Sequence, residues 1–484
     1  MKIKGKKILI FGLARSGVGA ANLLLGQGAE VTVTDKKSKG ELAVFIERLL
    51  PSVRLALGGH PDEIFKNTDL IVISPGVPLD IPPLKKAKDA GIKIIGELEL
   101  AYQIIHPQSP IPFLAVTGTN GKSTTTTLLY EMIKNSGFKT ILGGNIGNAL
   151  TEEILKAISP PTYPSPSRGE GKGEGGSYTL NADYIVAEVS SFQLEAIDKF
   201  RPDGATILNI TPDHLDRYHS MDEYRAAKAQ VFLNQQKEDF LVLNADDTEV
   251  MKVESLKLKV KSERPRIFYF SRKKEVEGVY LKKGTVYCSF SHLPLTPNPL
   301  PLISASDIRI KGVHNLENAM AASAMALLAK CPVEAVVKTM KEFPGLEHRL
   351  EFVRNLDGVD YINDSKGTNV GAVIKSLESF SEPVVLIAGG RDKAGDFSIL
   401  RPLVKERVKA LVLIGEAREK INRALGDLTE IKFADDLKGA VMISRACASE
   451  GNVVLLSPAC ASFDMFRDFE DRGRKFKKIV RGLS

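Results

Sequence analysis

The apolar run FLAV at 113–116 feeds into Gly118-Thr119-Asn120-Gly121-Lys122-Ser123-Thr124, and a helical stretch follows to a stop at Gly137. Strand, glycine turn and helix in that order make half of a βαβ unit, and such units build parallel sheets with helices on both faces. The alternation recurs on either side of this segment. Before it, strands are expected at KKILIFGL, EVTVTD, LIVIS and IKIIG, with helices from the first glycine turn to Gly26, over ELAVFIERLL and over LKKAKDA. After it come strands YIVAEVSS, GATILNI and DFLVLN, with the helix DEYRAAKAQVFLN before the last. The segment IRIKGVHNLENAMAASAMALLAK reads as a strand, a turn and a long helix of small residues. From about residue 345, βα units resume at VDYINDSK, EPVVLIAGG, KALVLIG and NVVLLSP. The chain is therefore expected to be α/β, with domains over 1–106, 107–344 and 345–484. At about 150 residues per domain, its 484 residues suit that count.

Composition narrows the function. Lys plus Arg is 66 against 59 for Asp plus Glu, a net charge of +7 that is mild at this length. It suits an anionic ligand such as a nucleotide, while the chain has no long basic block and no zinc-finger spacing. With no Trp and 7% aromatic residues, base stacking on single-stranded nucleic acid is not expected either. No apolar stretch approaches the ~18 residues of a membrane span. The basic, then apolar N-terminus runs into Arg15 and a glycine turn, so it reads as a buried strand and not as a secretion signal. Cys288, Cys331, Cys447 and Cys460 are scattered, as expected for reduced thiols in a cytoplasmic protein. Two stretches, 159–177 and 292–302, are rich in Pro, Gly and Ser and read as loops without chemistry.

The sharpest chemical signal is the loop Gly118–Thr124. Backbone N–H groups of such a loop, with the helix N-terminus behind it, cradle phosphate oxygens. Lys122 offers a point charge to β and γ phosphates, and Ser123 a ligand to Mg²⁺. The first loop, FGLARSGVGAA, lacks the G-x-G-x-x-G spacing. It is a dinucleotide turn, a tight turn on some other diphosphate, or a structural glycine turn. Asp35, ending the second strand, stands where an acid binds a ribose in dinucleotide folds. Glu188 and His214 follow strand ends, where open α/β sheets bind ligands. They hold Mg²⁺, or else Glu188 caps some neighbouring group and His214 is a satisfied loop histidine; magnesium's preference for oxygen weighs against the imidazole. Taken alone, Lys228 is a surface helix lysine. Asn315 and Asn318 read as an N-cap pair or as readers of an adenine edge. His348, Arg349, Asp364, Lys366 and Lys393 are singly no more than solvated charges.

Together these residues resemble a known family. GTNGKSTT, EVSSFQLE, NITPDHLDRY, YRAAK, GVHNLENAMAA, HRLE, NDSKGTN and SPACASFDMFRDFEDRG occur in this order, and the chain is similar to the Mur ligases over nearly its whole length. The final block most resembles the members that add D-glutamate. The resemblance implies an N-terminal Rossmann-like domain for a UDP-linked substrate, a central P-loop ATPase-type domain and a C-terminal Rossmann-like domain for the amino acid. It implies that ATP activates the carboxylate of UDP-N-acetylmuramoyl-L-alanine as an acyl phosphate, and that the amine of D-glutamate attacks it through a tetrahedral intermediate. Carried over by residue, Ser16, Gly17, Asp35 and Asn145 contact the UDP substrate. Gly118, Thr119, Asn120, Gly121, Lys122, Ser123, Thr124, Asn315, Asn318, Arg349 and Asp364 contact ATP. Ser123, Glu188, His214 and Lys228, the last as a carbamate, hold Mg²⁺. Thr368, Lys393, Ser462 and Phe469 place D-glutamate. Lys122, His214 and Lys228 form the catalytic set. A monomer with no nucleic-acid or membrane partner is expected.

Overall fold

A computed structural model describes residues 1–106, 111–159, 179–213, 217–254, 264–291, 297–392 and 395–484. The chain divides into two compact units: Met1–Asp307 with Glu317–Lys341, and Ile308–Leu316 with Glu342–Ser484.

The first unit carries two large sheets. Strands β1 (Lys7–Phe11), β2 (Glu30–Asp35), β3 (Arg54–Leu57), β4 (Leu70–Ile73) and β5 (Lys93–Gly96) form an all-parallel sheet in the order β3-β2-β1-β4-β5. That is the dinucleotide-fold order, with the strand sequence reversing between β1 and β4. β1 is buried on both faces: Ile8 and Ile10 join one apolar cluster, Leu9 and Phe11 another. This is why it reads as a continuous apolar run.

The second sheet of this unit contains β6 (Phe113–Thr117), β7 (Thr140–Gly144), β10 (Tyr184–Glu188), β11 (Gly204–Ile207), β12 (Phe240–Asn244), β13 (Arg266–Ser271), β14 (Gly278–Lys282), β15 (Thr285–Ser289) and β16 (Leu300–Ser304). A separate antiparallel pair is made by β8 (Ile158–Ser159) and β9 (Thr179–Leu180). The large sheet has the order β16-β15-β14-β13-β12-β11-β6-β10-β7, parallel except across β14-β15-β16. β6, central and fully buried, delivers the glycine loop between the ends of β10 and β11.

The two sheets of the first unit are tied by the helix Glu97–Ile105, which follows β5 directly. Glu97 Oε1 accepts from the Thr151 backbone N and Oγ1, both at 2.8 Å. Fully buried Glu99 accepts from the backbone N–H groups of Asp198, Lys199 and Phe200 at 2.8–2.9 Å, and from the Gln103 amide. A Glu99→Ala variant strands these donors, and each buried orphan costs about 1–3 kcal/mol. Urea unfolding is expected to show a loss of about 2 kcal/mol or more, and an unchanged midpoint would refute the tie.

The second unit holds β17 (Glu351–Leu356), β18 (Val359–Asn363), β19 (Val384–Gly389), β20 (Val408–Ile414), β21 (Glu430–Phe433) and β22 (Val453–Leu456), in the order β17-β18-β22-β19-β20-β21. Only β17-β18 is antiparallel. Apolar clusters line both faces of this sheet.

Several expected elements differ. The helix over 41–50 shrinks to Ala43–Ile46, because the stretch is largely exposed and too short to hold a longer helix. No strand forms at 308–311, where the chain has bends before the helix Val313–Leu328. The end of the proline-rich stretch is not a loop: Leu300–Ser304 is an edge strand, where proline is tolerated. Residues 160–178 and 292–296 of the two biased stretches lie outside the described residues. None of the four cysteines is in a disulfide. No helix among the described residues is long and apolar enough to cross a membrane.

Candidate active site

In the all-parallel sheet the strand order reverses at β1 and β4, and the residues after these two strands meet there. Ser74 Oγ donates to the Gly12 carbonyl at 2.8 Å and lies 3.4 Å from Ser16 Oγ. Gly17 is required by the approach itself, since a Cβ there would stand 2.2 Å from the Gly12 oxygen. Asp35 reaches across from β2: one oxygen accepts from Leu13 N at 2.7 Å, the other from Lys37 N at 2.9 Å. The structure thus gathers Ser16, Gly17 and Asp35 around one turn, where Asp35 also braces the loop. Ser74 belongs to the same cluster and is not conspicuous in the sequence, since only sheet order brings it to β1.

The central loop sits between Glu188 at the end of β10 and the segment after β11. Gly118 and Gly121 have φ of +152° and +81°. A Cβ at Gly121 would come within 2.2 Å of Asn318 Oδ1, so this glycine answers both strain and space. Two of the loop's N–H groups are committed to the protein: Thr119 N to the Asn209 carbonyl at 2.9 Å, and Asn120 N to Asn209 Oδ1 at 2.8 Å. These two N–H groups are therefore not among those the loop offers to a ligand. Asn209 is the brace that sequence reasoning missed. Lys122 curls over the loop, its Nζ donating to the carbonyls of Gly118 at 2.9 Å and Thr119 at 2.8 Å.

Lys228 corrects the residue-level expectation most sharply. It is not a surface lysine but 1% exposed, with Nζ donating to the Gly118 carbonyl at 2.9 Å and lying 4.4 Å from the Tyr224 ring centroid. Tyr224 OH in turn lies 3.3 Å from Thr119 Oγ1. Burial first, and then the Lys122 charge, hold the Lys228 ammonium well below the usual lysine range, against a smaller opposing pull from Asp213. A lysine poised to be neutral therefore points at the same carbonyl as the loop lysine.

Glu188 is 2% exposed. Its Oε1 accepts from Asn145 Nδ2 at 2.7 Å, and its Oε2 has no hydrogen-bond partner among the described residues. A buried carboxylate oxygen without a partner is costly, and a hard cation is what relieves it. The donor set therefore fits Mg²⁺. The helix cap after β10 belongs to Ser190, not Glu188. His214, expected beside it, lies outside the described residues.

Asn315 and Asn318 are not an N-cap pair. The helix begins at Val313, so Asn315 lies in its first turn, where its Nδ2 donates back to the Lys311 carbonyl at 2.8 Å. Asn318 is buried behind the glycine loop, its Oδ1 accepting from Thr125 Oγ1 at 3.2 Å. The two fall in different compact units.

In the second unit, the residues singled out cluster at the carboxyl ends of β18 and β22. Asp364 is no solvated charge. It is 6% exposed, and its Oδ2 accepts from Ser376 Oγ at 2.6 Å and Ser457 Oγ at 2.7 Å. Burial pushes its carboxyl up to about 6, against the pull of those hydroxyls. His348 is likewise buried, at 2%. Thr368 is half-buried on the loop after Asp364, and Ser462 is buried after β22. Phe469, the first residue of the helix Phe469–Arg481, lies under Lys366 Nζ at 3.7 Å from its ring centroid. Arg472 threads beneath, fully buried, donating from Nε to Ser365 Oγ at 3.0 Å and from Nη2 to the Ser365 carbonyl at 2.9 Å and the Cys460 carbonyl at 3.3 Å. Lys393 lies outside the described residues.

Three family models match consecutive stretches: the Mur ligase MurD-like N-terminal domain over 6–96, the Mur ligase middle domain over 116–326 and the Mur ligase glutamate ligase domain over 348–460. A curated protein of Geotalea daltonii, named UDP-N-acetylmuramoylalanine–D-glutamate ligase, is 46% identical over 100% of this chain and 99% of its own length. The chain belongs to the Mur ligase family. A relative of the same name from Citrifermentans bemidjiense is 45% identical, over 99% of this chain and 98% of its own.

Solved Mur ligases share the fold. The UDP-N-acetylmuramate–alanine ligase of Thermotoga maritima superposes with a TM-score of 0.57 at 18% identity, over 98% of this chain and 99% of that one. The MurF ligase of the same organism, solved in complex with ADP, gives 0.58 at 15% identity over 99% and 98%. The chain thus has the three-domain α/β architecture of the Mur ligases, with the N-terminal domain and all of the middle domain but 308–316 lying in one compact unit.

Proposed function

We propose that this Mur ligase joins D-glutamate to UDP-N-acetylmuramoyl-L-alanine at the expense of ATP, as a monomer in cytoplasmic peptidoglycan precursor synthesis. The observation that carries the choice of amino acid is full-length likeness to relatives named as D-glutamate ligases. The domains run over 1–106, 107–344 and 345–484. Ser16, Gly17, Asp35 and Asn145 bind the UDP substrate, and the loop Gly118–Thr124 with Asn315, Asn318, Arg349 and Asp364 binds ATP. Lys122 sets its charge against the β and γ phosphates. The substrate carboxylate takes the γ-phosphoryl group from ATP, and ADP is the leaving group. The D-glutamate amine, placed by Thr368, Lys393, Ser462 and Phe469, attacks the acyl carbon, and phosphate leaves. Ser123, Glu188, His214 and carbamylated Lys228 hold Mg²⁺, which neutralises phosphate charge when bound.

The test is phosphate release from ATP with UDP-N-acetylmuramoyl-L-alanine across a panel of amino acids. D-glutamate is expected to support release, with L-glutamate, L-alanine and glycine far behind. Preference for another amino acid would leave an amide ligase of different specificity.

A further inference from the structure

Arg349 is flanked on both sides by residues in a backbone that L-residues avoid. Its neighbours His348 and Leu350 have φ of +65° and +43°. Non-glycine residues stay in that region only where the surroundings hold them. Here the hold is dense. His348 N donates to Glu351 Oε2 at 2.9 Å, Lys366 N donates to the His348 carbonyl at 3.0 Å, and Leu350 N donates to Asp364 Oδ1 at 3.3 Å.

The His348 ring is the centre of this hold. Its Nδ1 lies 2.9 Å from Asn363 Nδ2, which can only donate, so Nδ1 is the acceptor and Nε2 carries the ring proton. The same amide donates to Glu351 Oε2 at 3.0 Å, and its Oδ1 accepts from Ser365 N at 3.2 Å, which fixes its orientation. The imidazole stands edge-on to Phe469, with ring centroids 6.1 Å apart. It also fills the space above Gly473, where a Cβ would come 2.2 Å from Nδ1. Burial depresses its basicity, consistent with a neutral acceptor.

Glu347, His348 and Glu351 group their donor atoms closely enough to suggest a metal. The chain supplies the cation itself: Lys477 Nζ donates to Glu351 Oε1 at 2.9 Å and to Glu347 Oε1. The cluster is a brace.

We propose that His348, seated between Asn363 and Gly473, is a positioning residue that holds the strained turn so that Arg349 and Asp364 are aimed for the nucleotide. The proposal rests on the assignment of Arg349 to ATP. Gly473 is glycine because the imidazole occupies the place of its side chain, so the two positions are coupled although they lie far apart in sequence.

The test is a set of variants assayed for kcat and for KM of ATP and D-glutamate, at temperatures below each melting transition. His348→Ala and Gly473→Ala are each expected to lower kcat/KM for ATP by about 10²-fold, the scale of a displaced positioning contact. The KM for D-glutamate should move less. His348→Asn, which offers an oxygen to Asn363 and tolerates positive φ, should keep activity within about tenfold of the parent. In an Arg349→Ala background, His348→Ala should add little further loss, because what it positions is gone. Fully multiplicative losses in that background would overturn the proposal. So would parental kcat/KM for ATP in folded His348→Ala or Gly473→Ala. A neutral Arg349→Ala would instead remove the nucleotide assignment, and with it the ground for positioning. Should His348→Ala fail to fold, Gly473→Ala and His348→Asn carry the same comparison.

Discussion

Lys122→Ala is expected to abolish ligation and leave the fold standing. In the structure the ammonium donates to two carbonyls of its own loop, those of Gly118 and Thr119. Their loss is worth about 1 kcal/mol each, small against the stability of a domain. For catalysis the charge counts differently. Phosphoryl transfer offers little covalent work for the protein, so positioning and electrostatic stabilisation carry the rate. Removing one such group costs about 10²–10³ or more in turnover. The measurement pairs phosphate release under saturating substrates with thermal unfolding. Near-normal turnover would sink the assignment, and an unfolded variant would show that Lys122 braces the loop.

The second large effect is expected at Lys228. A buried ammonium with one carbonyl acceptor among the described residues is expensive, and burial beside Lys122 favours the neutral amine. Carbon dioxide adds to a neutral amine, forming the N–C bond of a carbamate and releasing a proton. The product offers oxygen where a hard cation needs it. Lys228→Ala should therefore be nearly inactive, and acetate or formate should partly restore the rate by filling the vacated oxygen position. Lowering the pH protonates the amine and opposes carbamylation, so activity should fall on the acid side, and added bicarbonate should offset part of that fall. An inactive variant that no short acid rescues would argue against the carbamate. A fully active one would end the assignment.

Much of this was legible in one dimension. β1, β6, β19 and β22 are buried on both faces and so read as apolar runs. The glycine loop after β6 was legible because it is local: seven consecutive residues carry the glycines, the lysine and the hydroxyls. The antiparallel strands β14–β16 and the helix Glu97–Ile105 were not, since short or half-buried segments and a wholly buried helix give no clear period.

The sequence by itself determined the α/β class, the glycine turn after β6 and, through its motifs, the family, because each is written in residues adjacent along the chain. Burial and partnership were decided only by the tertiary structure. Lys228 and Asp364 look like surface charges until neighbouring elements cover them. Asn209 becomes a loop brace only because β11 lies beside β6. Glu188 is buried with one oxygen bonded to Asn145 and the other without a partner among the described residues, which only the folded neighbourhood reveals. His348 meets Gly473 across more than a hundred residues. A charge's environment depends on what folds over it, and those contacts lie at sequence separations that no local pattern encodes.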